Sequence, residues 1–303
     1  VTGSGNLQMP AIQTIQITSD RAIGSGQRPF VISEIGNNHN GDMDNARKLI
    51  DQSAEAGVDA VKFQTKDIET SFSKELLDSP YTGPNSFGAT YREHKYAIEL
   101  TEDEYSELND YAISKGLIFF STPFDLKSVE VLERIDQPIY KLASFHVTNL
   151  ELIEAIVKTG KPLLMSTGMS TWDEVGTAVE TIRKYTENFV VLQCTSSYPA
   201  DFKDLNISAI PEISKRFDCL VGYSGHERGV GISPGTVLLG ACVIERHFTL
   251  DRTMKGTDHA ASLEFMGLRL LVSRINRYYE SVGLPEKMVM ESELANRMKN
   301  RGY

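Results

Sequence analysis

The stretch TEDEYSELNDYAISKGLIFFS, residues 101–121, carries the unit from which the fold is built. Thr101 and Glu104 stand at capping-box spacing, so a helix can start here with two otherwise unpaired N–H groups satisfied by side chains. Tyr105, Leu108 and Ala112 recur at helical spacing and form one apolar face. Gly116 is placed to end that helix, and residues 117–121 make the short apolar run required of a strand covered on both faces. Residues 45–56 follow the same grammar, with Ala46, Leu49, Ile50 and Ala54 on one face and Gly57 as the stop.

Worked outward, the pattern gives eight apolar runs, at residues 30–35, 60–64, 117–121, 139–144, 162–166, 189–194, 219–224 and 242–247. Polar turns and amphipathic stretches separate them, which argues for parallel βα units. Eight such units with no Pro- or Gly-rich linker between them predict an α/β fold, a closed (β/α)8 TIM barrel over residues 29–285. Residues 1–28 are expected to be a tail and a barrel-capping β-hairpin, in which Ile12, Ile15 and Ile17 precede a turn at Gly24-Ser-Gly26. The leading Val1-Thr-Gly-Ser-Gly, without an initiator Met, reads as an added segment, and residues 286–303 as a linker or tail. Residues 66–100 far exceed a βα loop of about 2–6 residues. They follow a strand, so they are expected to form a lid or substrate loop on the catalytic face.

Composition narrows the class. With 303 residues, 41% hydrophobic and 24% charged, the chain is an ordinary globular one with ample core. Its net charge of -10 speaks against a nucleic-acid surface, and no apolar run reaches the roughly 18 residues of a membrane span. Cys194, Cys219 and Cys242 lie far apart with no metal or disulfide spacing, as expected of buried free thiols in a reducing cytoplasm.

The C-terminal ends of barrel strands build the active site, and here they are rich in reactive groups. Strand by strand these are Glu34 with Asn37, Asn38 and His39; Lys62 and Gln64; Ser121 and Thr122; Lys141 and Ser144; Ser166; Thr195 to Tyr198; Ser224 and His226; and His247. Two lysines, a glutamate, two histidines and many hydroxyls at one mouth would be costly to desolvate without a charged ligand or metal. Lysines among Ser and Thr donors, without the Gly-rich motif of nucleotide sites, suit a small phosphorylated acid. His226 and His247, at corresponding places on adjacent strands about 5 Å apart, could share one divalent ion in an open site.

The motifs Ser33-Glu-Ile-Gly-Asn-Asn-His-Asn-Gly-Asp, Val61-Lys-Phe-Gln-Thr, Ser121-Thr-Pro-Phe-Asp, Tyr140-Lys-Leu-Ala-Ser, Ser166-Thr-Gly-Met, Cys194-Thr-Ser-Ser-Tyr-Pro, Gly222-Tyr-Ser-Gly-His and Glu245-Arg-His-Phe-Thr-Leu-Asp stand in that order. Together they resemble the sialic acid synthase family over residues 28–285. The resemblance implies a transferase that condenses phosphoenolpyruvate with N-acetylmannosamine or a related aldose, giving a nine-carbon 2-keto acid and phosphate. It implies that Lys62, Lys141, Ser144, Ser166, Ser224 and Thr122 hold phosphoenolpyruvate, and that Glu34 is the catalytic carboxylate. His226 and His247 then match the metal ligands, with manganese the usual ion and Mg2+ or Co2+ as substitutes. Gln64, Tyr198 and Asp258 match positions that meet the sugar or the metal's waters. The metal is expected to polarise the aldehyde while Glu34 handles a proton. A homodimer is also implied.

Two departures stand out. Where the family runs on from the lysine of strand four to a sugar-contacting Glu, this chain has Phe145-His146, nearer to pseudaminic-type synthases. Family members also continue into a small antifreeze-like domain whose arginine reaches the partner subunit's sugar, and the sequence stops at Asn300-Arg-Gly-Tyr303 near where it would begin. No such domain is expected in these residues, so sugar recognition could fall to Arg92, His94 and Lys95 of the long insertion. The rivals are an octulosonate- or heptulosonate-phosphate synthase, a Schiff-base pyruvate aldolase using Lys141, and a non-catalytic sugar-acid sensor.

Overall fold

Eight parallel strands form the barrel wall: β3 (Phe30–Gly36), β4 (Ala60–Thr65), β5 (Ile118–Pro123), β6 (Tyr140–Leu142), β7 (Leu163–Ser166), β8 (Phe189–Cys194), β9 (Leu220–Gly225) and β10 (Val243–His247). In this computed structural model, which describes residues 14–283 and 286–301, they run in the order β5-β4-β3-β10-β9-β8-β7-β6. Period-two alternation sorts their side chains. Val31, Val61, Phe119 and Val191 face the surrounding helices, while Phe30, Ile32, Phe120 and Leu192 fill the barrel's lower interior.

Helices α1 (Met43–Ala56), α5 (Glu102–Ser114), α6 (Leu126–Ile135), α7 (Leu150–Val157), α8 (Trp172–Arg183), α9 (Ala209–Phe217) and α10 (Phe265–Val282) follow seven of the strands. The short α2 (Ile68–Ser71), α3 (Lys74–Leu77) and α4 (Tyr91–Ile98) lie inside the long insertion, and α11 (Leu294–Arg301) closes the described chain. The expected capping box at Thr101 and Glu104 is present. Helix α1 starts two residues earlier than the periodicity indicates, because the Asp42 side chain caps it by accepting from Asn45 N–H. After β9 the expected α-helix is replaced by a 3-10 helix, Ser233–Leu239, with Pro near its start.

Below the barrel, β1 (Thr14–Thr18) pairs antiparallel with β2 (Arg21–Gly24). Their turn lies at Ser19-Asp20, and Gly24-Ser-Gly26 ends the second strand, which corrects the expected turn. Ile12 lies outside the described residues. Ile15, Ile17 and Ile23 plug the barrel floor, each contributing about 1.5–3 kcal/mol by burial. Asp59 fastens the hairpin region: it pairs with Arg21 at 2.9 Å and with Arg28, and accepts from Val31 N–H.

Between β5 and β6 the described residues form no backbone ladder. The buried Gln137 fills the seam, its carboxamide accepting from Ser121 N–H at 2.7 Å and donating to Ser121 O at 3.3 Å. Strand β6 is short, and Ser144 is not on the strand as expected but begins a 3-10 turn, Ser144–His146. That turn swings His146 over the barrel mouth. Among the described residues no helix is long and apolar enough to cross a membrane.

Candidate active site

The strand ends enclose a cavity of about 570 Å3, within the range of about 300–1,000 Å3 typical of small-molecule sites. Its lining includes Glu34, Lys62, Gln64, Thr122, Lys141, Ser144, His146, Ser166, Tyr198, Ser224, His226, His247 and Asp258, so these site residues expected from sequence converge here, whereas Asn38, His39 and Ser121 do not line it. Register explains the convergence. His247 lies beside Glu34 and Glu34 beside Lys62 across β10, β3 and β4, while Glu245 lies beside Ser224, and Ser224 beside Cys194.

Four buried charges occupy the floor. Lys62 Nζ lies 2.6 Å from Glu34 and 3.7 Å from Glu245, and Lys141 Nζ lies 3.6 Å from Glu245. The lysines therefore have counter-charges within the chain, where the sequence argument had required a ligand or metal to supply them. Lys62 also donates to Thr122 Oγ1, Ser224 Oγ donates to Glu245, and Gln64 donates to Glu34 at 3.0 Å. Burial would lower Lys62, but Glu245 and Glu34 outweigh it and hold the ammonium above its usual range. Lys141 is lowered by burial despite Glu245.

The two carboxyls are driven apart. Burial would raise both, yet Lys141 and Lys62 pull Glu245 down to about 2. Glu34 is raised, because burial, reinforced by the charge of Glu245, outweighs Lys62. The split leaves Glu245 an ionised counter-charge and makes Glu34 the easier of the two carboxyls to protonate. Gly36 protects the arrangement. Its φ of 54° is left-handed, and a Cβ there would lie 3.2 Å from Glu34 Oε1 and 3.1 Å from Gln64 Nε2.

At the upper rim the His226 and His247 rings lie 5.3 Å apart between centroids, with Tyr198 4.1 Å from the former. His226 Nδ1 is 2.8 Å from Thr195 O, which fixes that nitrogen as the N–H donor and turns Nε2 free. His247 Nδ1 is buried with no hydrogen-bond partner among the described residues, as is Ser166 Oγ. Burial holds His247 neutral, with its pKa down to about 3. Burial would lower His226 as well, but Cys194 and the Thr195 carbonyl outweigh it and raise it above its ordinary value. Two adjacent imidazoles, each with a ring nitrogen available once neutral, fit a divalent transition metal. Among the described residues no three His, Cys, Asp or Glu side chains gather as a fuller ligand set.

Several residues were missed or misplaced by the sequence reading. Glu245 was quoted only within a motif, although its place two residues before His247 puts both on the inner face. Cys194 also lines the cavity, 3.9 Å from His226 Nδ1. His146 faces the cavity beside Phe124 and Phe145, and burial keeps it neutral with its pKa at about 4. Of the three insertion residues, only Lys95 lines the cavity. Arg92 is spent on Glu69 and Asp78, and His94 packs between Tyr81 and Phe87. Asn38 donates to Phe248 O and Ser262, tying loops together, while Asn37 reaches the cavity. Cys194 and Cys219 are buried free thiols as expected, whereas Cys242 is half-buried.

The chain is 40% identical over 93% of its length to human N-acetylneuraminate-9-phosphate synthase, covering 79% of that protein. It is 38% identical to N,N'-diacetyllegionaminic acid synthase of Campylobacter jejuni, over 89% of the chain and 82% of the relative. A solved N-acetylneuraminic acid synthetase from Leptospira borgpetersenii, in complex with citrate, superposes with a TM-score of 0.84 at 31% identity, covering 96% of this chain and 99% of that one. A truncated heptulosonate 7-phosphate synthase from Thermotoga maritima, 17% identical with a TM-score of 0.69, covers 91% of this chain and 95% of that one, and shares the fold alone. The NeuB family model matches residues 49–287, and on that match together with the 40% identity the chain belongs to the NeuB family.

Proposed function

We propose that this protein condenses phosphoenolpyruvate with N-acetylmannosamine or a related amino sugar, forming a nonulosonic 2-keto acid and phosphate. The carrying observation is the floor of the cavity, where Lys62 and Lys141 flank the ionised Glu245 while burial and the charge of Glu245 raise Glu34 above its ordinary value. The catalytic unit is residues 29–285.

In this reading Lys62 and Lys141 bind the phosphate and carboxylate of phosphoenolpyruvate, helped by Thr122, Ser144, Ser166 and Ser224. Ser166 Oγ, buried without a partner, has its proton free for a phosphate oxygen. The C2–C3 π electrons form the new bond from C3 to the aldehyde carbon, and the aldehyde oxygen becomes a hydroxyl by gaining a proton. Water adds at C2, losing a proton to Glu34. The bond from C2 to the bridging ester oxygen then breaks, and the C2 hydroxyl passes its proton to the departing phosphate, leaving the ketone. Gln64, His146, Tyr198 and Asp258 face the acceptor. A divalent metal held by His226 and His247, manganese with Mg2+ or Co2+ as substitutes, would supply Lewis-acid polarisation of the aldehyde.

The reading includes a cytoplasmic enzyme with free thiols, no nucleic-acid or membrane partner, and a homodimer, which light scattering would test. The function itself is tested by phosphate release from phosphoenolpyruvate with Mn2+, across N-acetylmannosamine, mannose, 2,4-diacetamido hexoses and arabinose 5-phosphate, beside His226→Ala. Release that needs metal, one amino sugar and His226 supports it. Release with arabinose 5-phosphate alone transfers the assignment to the octulosonate-type reaction.

A further inference from the structure

Lys66 follows β4 directly, two residues beyond Gln64, and no step of the proposed reaction uses it. Its side chain is buried in the cavity wall, with the ammonium 4.1 Å from the Phe124 ring centroid and 3.9 Å from Glu99. Tyr105 OH and the backbone N–H of Lys66 hold that carboxylate in place. From this seat the ammonium donates to Asn37 Oδ1 and to Gln64 Oε1, each at 3.3 Å. Asn37 Nδ2 donates to the same Gln64 oxygen at 3.2 Å.

An ammonium can only donate, whereas a side-chain amide accepts at one end and donates from the other. Lys66 therefore draws both amide oxygens towards itself and turns the Gln64 NH2 group away, where it donates to Glu34 Oε1 at 3.0 Å. A reversed Gln64 amide would set its oxygen against a carboxylate oxygen and its NH2 group against the ammonium. The backbone leaves room for the contact: the pairing of β3 with β4 shifts register between Glu34 and Gly36, and the left-handed Gly36 puts no side chain between Glu34 and Gln64. The second oxygen of Glu34, Oε2, rests on Lys62 at 2.6 Å. Lys62 is also read as a ligand of phosphoenolpyruvate, so when it turns to the substrate the Gln64 amide is the hold on the carboxylate that remains.

We propose that Lys66 is a positioning residue for Glu34, acting through the orientation it imposes on the Gln64 amide. The inference rests on the synthase reading above, in which Glu34 takes the proton of the attacking water. It also divides the work of Gln64. The oxygen is committed to Lys66 and Asn37, one N–H aims the Glu34 carboxylate, and the other N–H is left for the acceptor. The part of Lys66 is orientation and not proton transfer, so it should be felt in turnover rather than in substrate affinity, and only while Glu34 is present to be aimed.

The test is a double-mutant cycle read by steady-state phosphate release: Lys66→Met in wild type and in Glu34→Gln, with Lys66→Arg as the conservative variant. Lys66→Met keeps an apolar stem against Phe124 and removes the donor. It should lower kcat about 10-fold or more and change the KM for phosphoenolpyruvate and for the sugar by less than about 3-fold, as a misaimed catalytic group does. Lys66→Arg, which still donates, should restore most of kcat. In the Glu34→Gln background, adding Lys66→Met should lower the residual rate by less than about 2-fold, because the group it aims is gone. Equal losses in the two backgrounds, an unchanged kcat, or a raised sugar KM at wild-type kcat overturns the positioning role and leaves the synthase reading standing. If thermal melts show that Lys66→Met does not fold, Asn37→Ala, which removes the other donor to Gln64 Oε1, goes through the same cycle with the same pattern expected and the same results overturning the role. No phosphate release by wild type with any sugar removes the synthase reading and the positioning role together.

Discussion

Arg246 and Glu227 meet at 3.0 Å with neither side chain exposed, and each is the chain neighbour of one of the two rim histidines. Glu227 also accepts from Tyr223 OH and from Ser233, while Arg246 reaches Gly229 O. The pair is a clamp across β9 and β10 that sets where His226 and His247 emerge. Glu227→Ala should cost about 3–5 kcal/mol in urea unfolding, because it strands a buried guanidinium. Mn2+ affinity, read by calorimetry on the folded Glu227→Gln variant, should fall about 10- to 100-fold, and an unchanged affinity would make the clamp purely structural.

Glu34→Gln keeps the shape and removes the proton acceptor. Steady-state phosphate release should fall by about 10²- to 10⁴-fold in kcat with a much smaller change in the KM for phosphoenolpyruvate. Wild-type turnover in a correctly folded variant would remove Glu34 from the chemistry.

Stability in acid should report Glu245. Its folded carboxyl lies at about 2, below the ordinary 4.5, so its contribution is complete above the ordinary value and is lost as pH falls through that window. Thermal melts of wild type and Glu245→Gln, taken from pH 5 downwards, should differ most at pH 5 and converge towards about pH 2. Parallel curves would show that Glu245 is not the group involved.

Gly36→Ala places a methyl group against the Glu34–Gln64 hydrogen bond and forces a left-handed backbone on alanine. A loss of about 1 kcal/mol or more is expected in denaturant titration, together with a lowered kcat.

Burial lowers Lys141 towards the free amine that an imine requires, and the ionised Glu245 at 3.6 Å opposes that shift by favouring the ammonium. Borohydride reduction with pyruvate should leave its mass unchanged, whereas a trapped adduct on Lys141 would favour aldolase chemistry.

The strands were legible because each is covered on both faces and so is nearly continuously apolar, and the strand-end residues followed from barrel geometry. Glu245 was legible in principle, by period two from His247, but its acidic character masks it inside a run that otherwise reads as buried strand. The interior of the insertion was not legible. Its short helices are held by contacts such as Arg92 with Glu69 and His94 with Tyr81, whose partners no local periodicity connects. The hairpin turn was misplaced because Ser19-Asp20 and Gly24-Ser-Gly26 are both good turn sequences, and only pairing chooses between them. Ser144 left its strand for a 3-10 turn that the apolar run before it does not mark.

The Gln137 carboxamide gives the barrel a preferred line of opening. Spreading any other neighbouring strands breaks a row of backbone bonds, whereas parting β5 from β6 releases the two made by one side chain. Local excursions should therefore begin at this seam, with Ser121 N–H exchanging before the strand amides elsewhere in the wall. Because Thr122 and Ser144 stand on its two sides, each such excursion widens the mouth at the phosphoenolpyruvate end while the two histidines opposite stay fixed by their clamp.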